Sequence, residues 1–218
     1  MYVPEAFAER DLSRARALIA AHSFGMLIVP RSAGAPELAH LPFLLDAEPA
    51  PYGTLRAHVA RANPIAKLLA DDLPVVAVFT GPHAYVSPRW YVTPDKNVPT
   101  WNFTAVHAHG VARKIHDHDG VLGAVADLAA VHEASAPAPW SAAVADRTHI
   151  EQRLGAIVAF SIAIERLESK FKLSQNRPRE DRLRVIERLR ARRGVDDEAI
   201  AAMIEANEAN EANEARDT

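Results

Sequence analysis

Cysteine is absent from the 218 residues. Disulfides, thiolate metal sites and a cysteine nucleophile are thereby excluded, and the absence fits a cytoplasmic protein. Long apolar runs are missing too. None reaches the roughly 18 residues of a membrane span, so no membrane partner is expected. The start, Met1-Tyr2-Val3-Pro4-Glu5, has no basic region followed by an apolar stretch, and no signal peptide is expected. No Gly-x-Gly-x-x-Gly, Walker loop or His-Glu-x-x-His occurs, which argues against Rossmann, P-loop and zincin enzymes. Nor does the Gly-x-Ser-x-Gly of many hydrolases.

What is present is ordinary in amount and uneven in placement. Hydrophobic residues make up 49% and charged residues 24%, so a chain of this length can bury a sizeable core. The net charge of -3 conceals two opposed blocks. Residues 166–194 carry 11 basic and 4 acidic side chains, and residues 195–218 carry 1 basic and 8 acidic. The chain therefore divides into a main domain over 1–178, a basic C-terminal helix over 179–194, and an acidic low-complexity tail over 195–218. The tail repeats Glu-Ala-Asn from Glu205. A period of three drifts around a helix, so a frayed helix or disorder is expected, dispensable for the fold.

Along the chain, Asp11 to His22 reads as a short helix with Leu12, Ala15, Leu18 and Ile19 at helical spacing. Strands are predicted at Gly25–Val29, Leu38–Asp46, Thr54–Ala60 and Val75–Thr80, the last broken by Gly81-Pro82. Pro42 belongs at an edge or bulge, since it cannot donate to a ladder. Extended structure resumes at His83, and Trp101 to Ile115 is a long alternating strand with Trp101, Phe103, Ala105, His107 and His109 on one face. Asn63-Pro64 opens a brief helix, Val121 to Ala134 is an amphipathic one, and Ser141 can cap another reaching Leu154. Ala156–Ile164 and Phe171–Leu173 give the last strands, and a helix over Arg179–Arg193 ends at Gly194. The fold class is mainly β with peripheral helices (α+β), an antiparallel, closed or partly closed barrel of about seven strands.

Four stretches could carry chemistry. Arg56 and His58 share a strand face, and the Asn63-Pro64 helix start followed by Lys67 offers N–H donors and a cation, as a phosphate requires. The alternative is a solvated strand face. His107-Ala108-His109 places two histidines on one face, which could hold a metal or a haem iron. With no cysteine and no carboxylate on the strand, no metal site is expected, and the pair reads equally as interface or core. Trp101-Asn102 supplies an aromatic surface and a polar group of the types a flavin needs, though alternation sends them to opposite faces. Lys170-Phe171-Lys172-Leu173-Ser174-Gln175-Asn176-Arg177 could clamp an anion, or be an edge strand on which lysines deter aggregation.

Several blocks together resemble the PaiB family of bacterial regulators. They are Met1-Tyr2-Val3-Pro4, Ser23-Phe24-Gly25, His40-Leu41-Pro42, Phe79-Thr80-Gly81-Pro82-His83-Ala84-Tyr85-Val86-Ser87-Pro88, Val98-Pro99-Thr100-Trp101-Asn102 and Lys170 to Arg177. The order and spacing hold across roughly residues 1–190. The resemblance implies an FMN-binding split β-barrel, similar in fold to pyridoxamine-phosphate oxidases, acting as a homodimer with sites at the subunit interface. It implies that Arg56, His58, Asn63 and Lys67 sit near the flavin phosphate and that His40 and Pro42 run beside the ring. Trp101 and Asn102 would reach the ring from the other subunit, and Lys172, Ser174, Gln175 and Asn176 would close the site. Members are described as negative regulators of transcription.

Three functions are therefore expected as candidates: an FMN-binding negative regulator of transcription, a flavin-dependent oxidoreductase of the pyridoxamine-phosphate-oxidase-like class, and a haem-binding split barrel. The basic segment 166–194 could meet DNA phosphates. No general base or carboxylate pair marks a catalytic residue.

Overall fold

The computed structural model describes residues 1–69, 72–141 and 146–214, the last four without side chains. Six helices and seven strands are found among them. In chain order these are α1 (Leu12–Ala21), β1 (Phe24–Val29), β2 (Glu37–Pro42), β3 (Leu44–Asp46), β4 (Thr54–Ala60), α2 (Pro64–Leu68), β5 (Leu73–Val86), β6 (Thr100–Lys114), α3 (His118–Glu133), α4 (Arg147–Gly155), β7 (Ile157–Lys172), α5 (Arg179–Arg192) and α6 (Asp197–Glu214). The strands form one antiparallel sheet in the order β2-β1-β5-β6-β7-β4-β3. Two compact units result, and β5, β6 and β7 contribute residues to both.

The first unit comprises Leu12–Phe79 and Val106–Leu167. Its strands behave as their alternation requires. On β4, Leu55, Ala57 and Val59 are buried while Thr54, Arg56 and His58 face the half-exposed side. β4 pairs with β7 from Thr54↔Ala163 to Ala60↔Ile157, which sets Ala57 opposite the buried Phe160. Leu27, Phe43, Phe79, Phe160, Ile162, Ile19 and Ile65 complete the core. Each such side chain contributes roughly 1.5–3 kcal/mol of burial. Gly110 of β6 lies where a Cβ would stand 2.2 Å from the Ala163 carbonyl oxygen, so the two backbones approach more closely there than any other residue permits. Pro42 ends β2, the outermost strand, as its missing N–H demands.

The second unit comprises Met1–Asp11, Thr80–Ala105 and Glu168–Thr218. Here the structure departs from the sequence reading three times. β5 runs unbroken through Gly81-Pro82, and β7 continues from Ile157 to Lys172 without a gap after Ile164. The third departure is the tail. Residues 197–214 are helical, and Asp197, Ile200, Ala201 and Ile204 are at most 2% exposed. Their spacing is one helix face, and it precedes the Glu-Ala-Asn repeat that drew the expectation of a frayed helix or disorder. Residues 215–218 lie outside those described.

α6 and α5 are also stitched by charge. Arg182 and Arg179 pair with Glu208, Arg190 with Glu198 and Glu205, and Arg192 with Asp197. Arg193, not Gly194, takes the left-handed cap of α5 at φ 58°, and the Gly194 N–H donates to Asp197 Oδ2 at 2.7 Å. The helix expected from Ser141 spans 142–145, which lie outside the described residues; α4 begins at Arg147 with Asp146 accepting from the His149 N–H.

Candidate functional site

The residues marked in the sequence fall into two groups, one in each unit. His40, Pro42, Arg56, His58, Asn63 and Lys67 belong to the first unit. Trp101, Asn102, Lys172, Ser174, Gln175 and Asn176 belong to the second.

In the first unit the expected phosphate cradle is largely committed elsewhere. Arg56 donates to Asp46 through Nε at 2.6 Å and Nη2 at 2.9 Å, and to Asp127 through Nη1 at 2.8 Å. Two carboxylates thus neutralise it and raise its pKa well above the ordinary arginine range, the Asp46 hydrogen bonds first. His58 points into a cavity of about 180 Å³ lined by Leu122, Val125, Trp140, Ile150 and Leu154. Burial lowers its pKa and so disfavours its charged form. Asn63 spends its side chain on capping α2, accepting from the Ile65 N–H at 2.9 Å. The N–H groups of Arg61, Asn63 and Ala66 bond to the carbonyls of Ala156, Ala60 and Asn63. Arg61, which the sequence reading passed over, donates to the Gly155 and Ile157 carbonyls. Lys67 is exposed. His40 stacks on Phe24 at 6.1 Å with the rings 20° from parallel, on the outer strand pair. In this arrangement the β4–α2 turn offers a phosphate one lysine and few spare donors.

The second unit holds an exposed aromatic face. Trp101 is 52% exposed, and its ring lies 6.0 Å from that of His83 and 6.1 Å from that of Tyr85, the latter edge-on. These three with Ala84, Arg192 and Asp197 line a groove of about 430 Å³. His83 is fixed by Asp196, whose Oδ2 accepts its N–H at 3.1 Å and lies 3.3 Å from Nδ1. His83 and Tyr85 were not singled out in the sequence. Their period-two spacing was visible, but nothing there paired them with Trp101.

Asn102 faces the opposite way and is 1% exposed. It exchanges hydrogen bonds with Ser174, Nδ2 donating to Oγ at 2.9 Å and Oδ1 accepting from it at 3.3 Å. Ser174 sits at φ 66°, a left-handed conformation that costs a serine about 1–2 kcal/mol. The Asn102 bonds and the Gln175 side chain, which accepts from the Leu173 N–H at 2.7 Å and donates to the Phe171 carbonyl at 2.5 Å, hold that turn. Ser174 and Asn102 are thus a buried brace, whereas Asn176 is exposed. Lys172 is half-buried and donates to the Thr100 hydroxyl. His107 and His109 lie on one face of β6 with ring centroids 6.4 Å apart, as alternation requires.

With this geometry in view, the relatives are informative. Residues 1–166 match the family described as "Putative FMN-binding domain". The chain is 30% identical over 205 residues to "Protease synthase and sporulation protein PAI 2" of Bacillus subtilis, covering 94% of this chain and 97% of that one. Among solved structures it is similar to the conserved hypothetical protein Rv2991 of Mycobacterium tuberculosis, with a TM-score of 0.58, 12% identity, and coverage of 82% of this chain and 94% of that one. It is also similar to the FAD and heme binding protein of Mycobacterium smegmatis, with a TM-score of 0.57, 18% identity, and coverage of 76% and 72%. These two structural likenesses establish the split-barrel fold, as expected from the sequence. No helix among the described residues is long and apolar enough to cross a membrane. By its match over residues 1–166 and its likeness to PAI 2 along nearly the whole of both chains, this protein belongs to the PaiB family of FMN-binding-domain proteins.

Proposed function

We propose that this chain binds FMN as a homodimer and serves as a negative regulator of transcription in the manner of its family. The observation that carries the cofactor reading is the family match over residues 1–166. The exposed Trp101, Tyr85 and His83 face fits a flat, partly apolar ring, and those three side chains are the ones we assign to hold it. Bound FMN supplies one- and two-electron chemistry. Asn102 and Ser174 keep the Trp101 strand in register with the turn that follows β7. The dimer reading is supported by Phe24 and Leu38, 70% and 53% exposed on the edge strand β2 (Leu38) and its neighbour β1 (Phe24).

FMN added to the protein is expected to lose fluorescence saturably, and Trp101→Ala is expected to weaken it about tenfold, since ring stacking of this kind is worth roughly 1 kcal/mol or more. Light scattering at micromolar concentration is expected to report a dimer. A fluorescence titration that never saturates would remove the cofactor reading, and a monomeric mass would remove the dimer.

A flavin-dependent oxidation is the second reading, and one observation favours it. The DNA reading leans on the basic segment 166–194, yet Arg179, Arg182, Arg190 and Arg192 are all paired with carboxylates of α6. Four of the eleven cations of that segment are thus spent on α6, which leaves fewer to release counterions on a phosphate backbone. The exposed aromatic groove, by contrast, is the size of a small-molecule site.

A further inference from the structure

Several cations of the second unit are paired with acids, whereas three on and just after β7 have neutral partners instead. Lys170 donates to the Tyr2 carbonyl at 3.2 Å and lies 5.2 Å from the centre of the Phe103 ring. Lys172 donates to the Thr100 hydroxyl. Arg177 donates to Asn97 Oδ1 at 2.7 Å and lies 4.8 Å over the Tyr91 ring. Every one of these partners is neutral, and among the described residues none of the three cations is ion-paired. Glu168, the nearest acid in sequence, is engaged by the chain's amino terminus.

The three cations also feel one another. Lys172 is held below the ordinary lysine range, by burial first and then by the positive charges of Lys170 and Arg177. Protection of a strand edge does not account for this arrangement, because the Lys170 position is itself bridged by Ala8 and the Ser169 carbonyl accepts from the Glu9 N–H at 3.0 Å. Like charges kept together at a partly buried position, with neutral oxygens in place of carboxylates, are the arrangement a multiply charged oxyanion requires.

We propose that Lys170, Lys172 and Arg177 form a binding site for the phosphomonoester group of a small ligand. Three cations match the two negative charges of such a group and leave the arginine able to present paired N–H donors. In the β4–α2 turn, by contrast, Arg56 is already neutralised. Two sources share this chemistry: the phosphate of FMN itself, and a second phosphorylated molecule.

Inorganic phosphate titrated into the full-length protein by calorimetry, at constant ionic strength, tests the assignment. Saturable binding is expected. Lys172→Gln and Arg177→Gln are each expected to weaken it about tenfold or more, the factor one charge-assisted contact supplies. Lys172→Arg is expected to retain most of it. Lys172→Gln removes a charge repelled by two others, so it is expected to melt no lower than the parent protein, and Arg177→Gln provides an independent second variant. Repeating the titration with saturating FMN and with saturating riboflavin separates the sources. Competition by FMN alone assigns the site to the flavin phosphate, and undiminished phosphate binding beside FMN assigns it to another ligand. Absence of saturable phosphate binding, or equal affinity in the parent and both glutamine variants, overturns the proposal. A protein that binds phosphate here but not FMN would keep this site and lose the cofactor reading.

Discussion

Truncation after Gly194 is expected to abolish cooperative unfolding of the second unit or to lower its melting temperature by about 10 °C or more. The removed segment contains Ile200, Ala201 and Ile204, all essentially inaccessible to solvent. Deleting one buried isoleucine side chain typically costs about 2–5 kcal/mol, so the loss of both approaches the roughly 5–15 kcal/mol that holds a whole domain together. The truncation also strips Arg182 of Glu208, a pair whose side chains are 12% and 10% exposed. Ile200→Ala alone is expected to cost about 3 kcal/mol. Acid should weaken the same attachment. Arg192, then the Gly194 N–H, hold the Asp197 carboxyl below its usual range against the opposing effect of burial. A depressed carboxyl pKa contributes stability above its unfolded value of about 3.9 and loses it as pH falls through the folded value, so melting should drop steeply below about pH 4 and less steeply in Asp197→Asn. Melting curves of the truncated chain within about 2 °C of the full one would show that α6 is an ornament.

Gly110→Ala is expected to destabilise the first unit by about 3 kcal/mol or more, at the upper end of what overpacking costs. The added carbon would meet the Ala163 carbonyl oxygen at 2.2 Å, and the Ala163 carbon and Ile162 Cγ2 at 3.0 Å. Backbone atoms cannot rotate aside, and β7 cannot retreat, because Ile162 and Ala163 are paired on their other side with Leu55 and Thr54 of β4. Gly123→Ala provides the contrast. It lies within α3 with no atom inside 4 Å of the added carbon, so the same chemical change should stabilise by about 0.5–1 kcal/mol through helix propensity. Urea denaturation of both variants reads the difference. Equal effects at the two positions would mean that strand spacing at Gly110 relaxes freely.

The strands of the first unit were legible because alternation is a strong local signal. Leu55, Ala57 and Val59 against Arg56 and His58 needed no knowledge of the partner strand. Breaks were harder to judge. Gly81-Pro82 reads locally as a turn, yet the chain stays extended there. The repeat from Glu205 supports no more than a frayed helix or disorder, while the short stripe Ile200, Ala201 and Ile204 that packs α6 lies just before it. At the candidate site, residue types were readable and their commitments were not. Nothing local announces that Arg56 is claimed by Asp127, 71 positions away, or Asn102 by Ser174, 72 positions away. The cationic character of Lys170 to Arg177 was visible, but the missing acids around it required the fold.

The second unit draws on residues 1–11, 80–105 and 168–218, whereas the first is complete at Leu167. During synthesis, therefore, every residue of the first unit is joined before Lys170, Arg177 or Ile204 is added. Contacts of such long sequence separation are slow to close. A chain ending at Leu167 would hold every residue of the β4–β7 ladder and its core, with Met1 to Asp11 still lacking Glu168, Ser169 and Lys170. Ligand recognition by the three cations thus comes after the first unit is complete, and a growing polypeptide that ends before Arg177 lacks it.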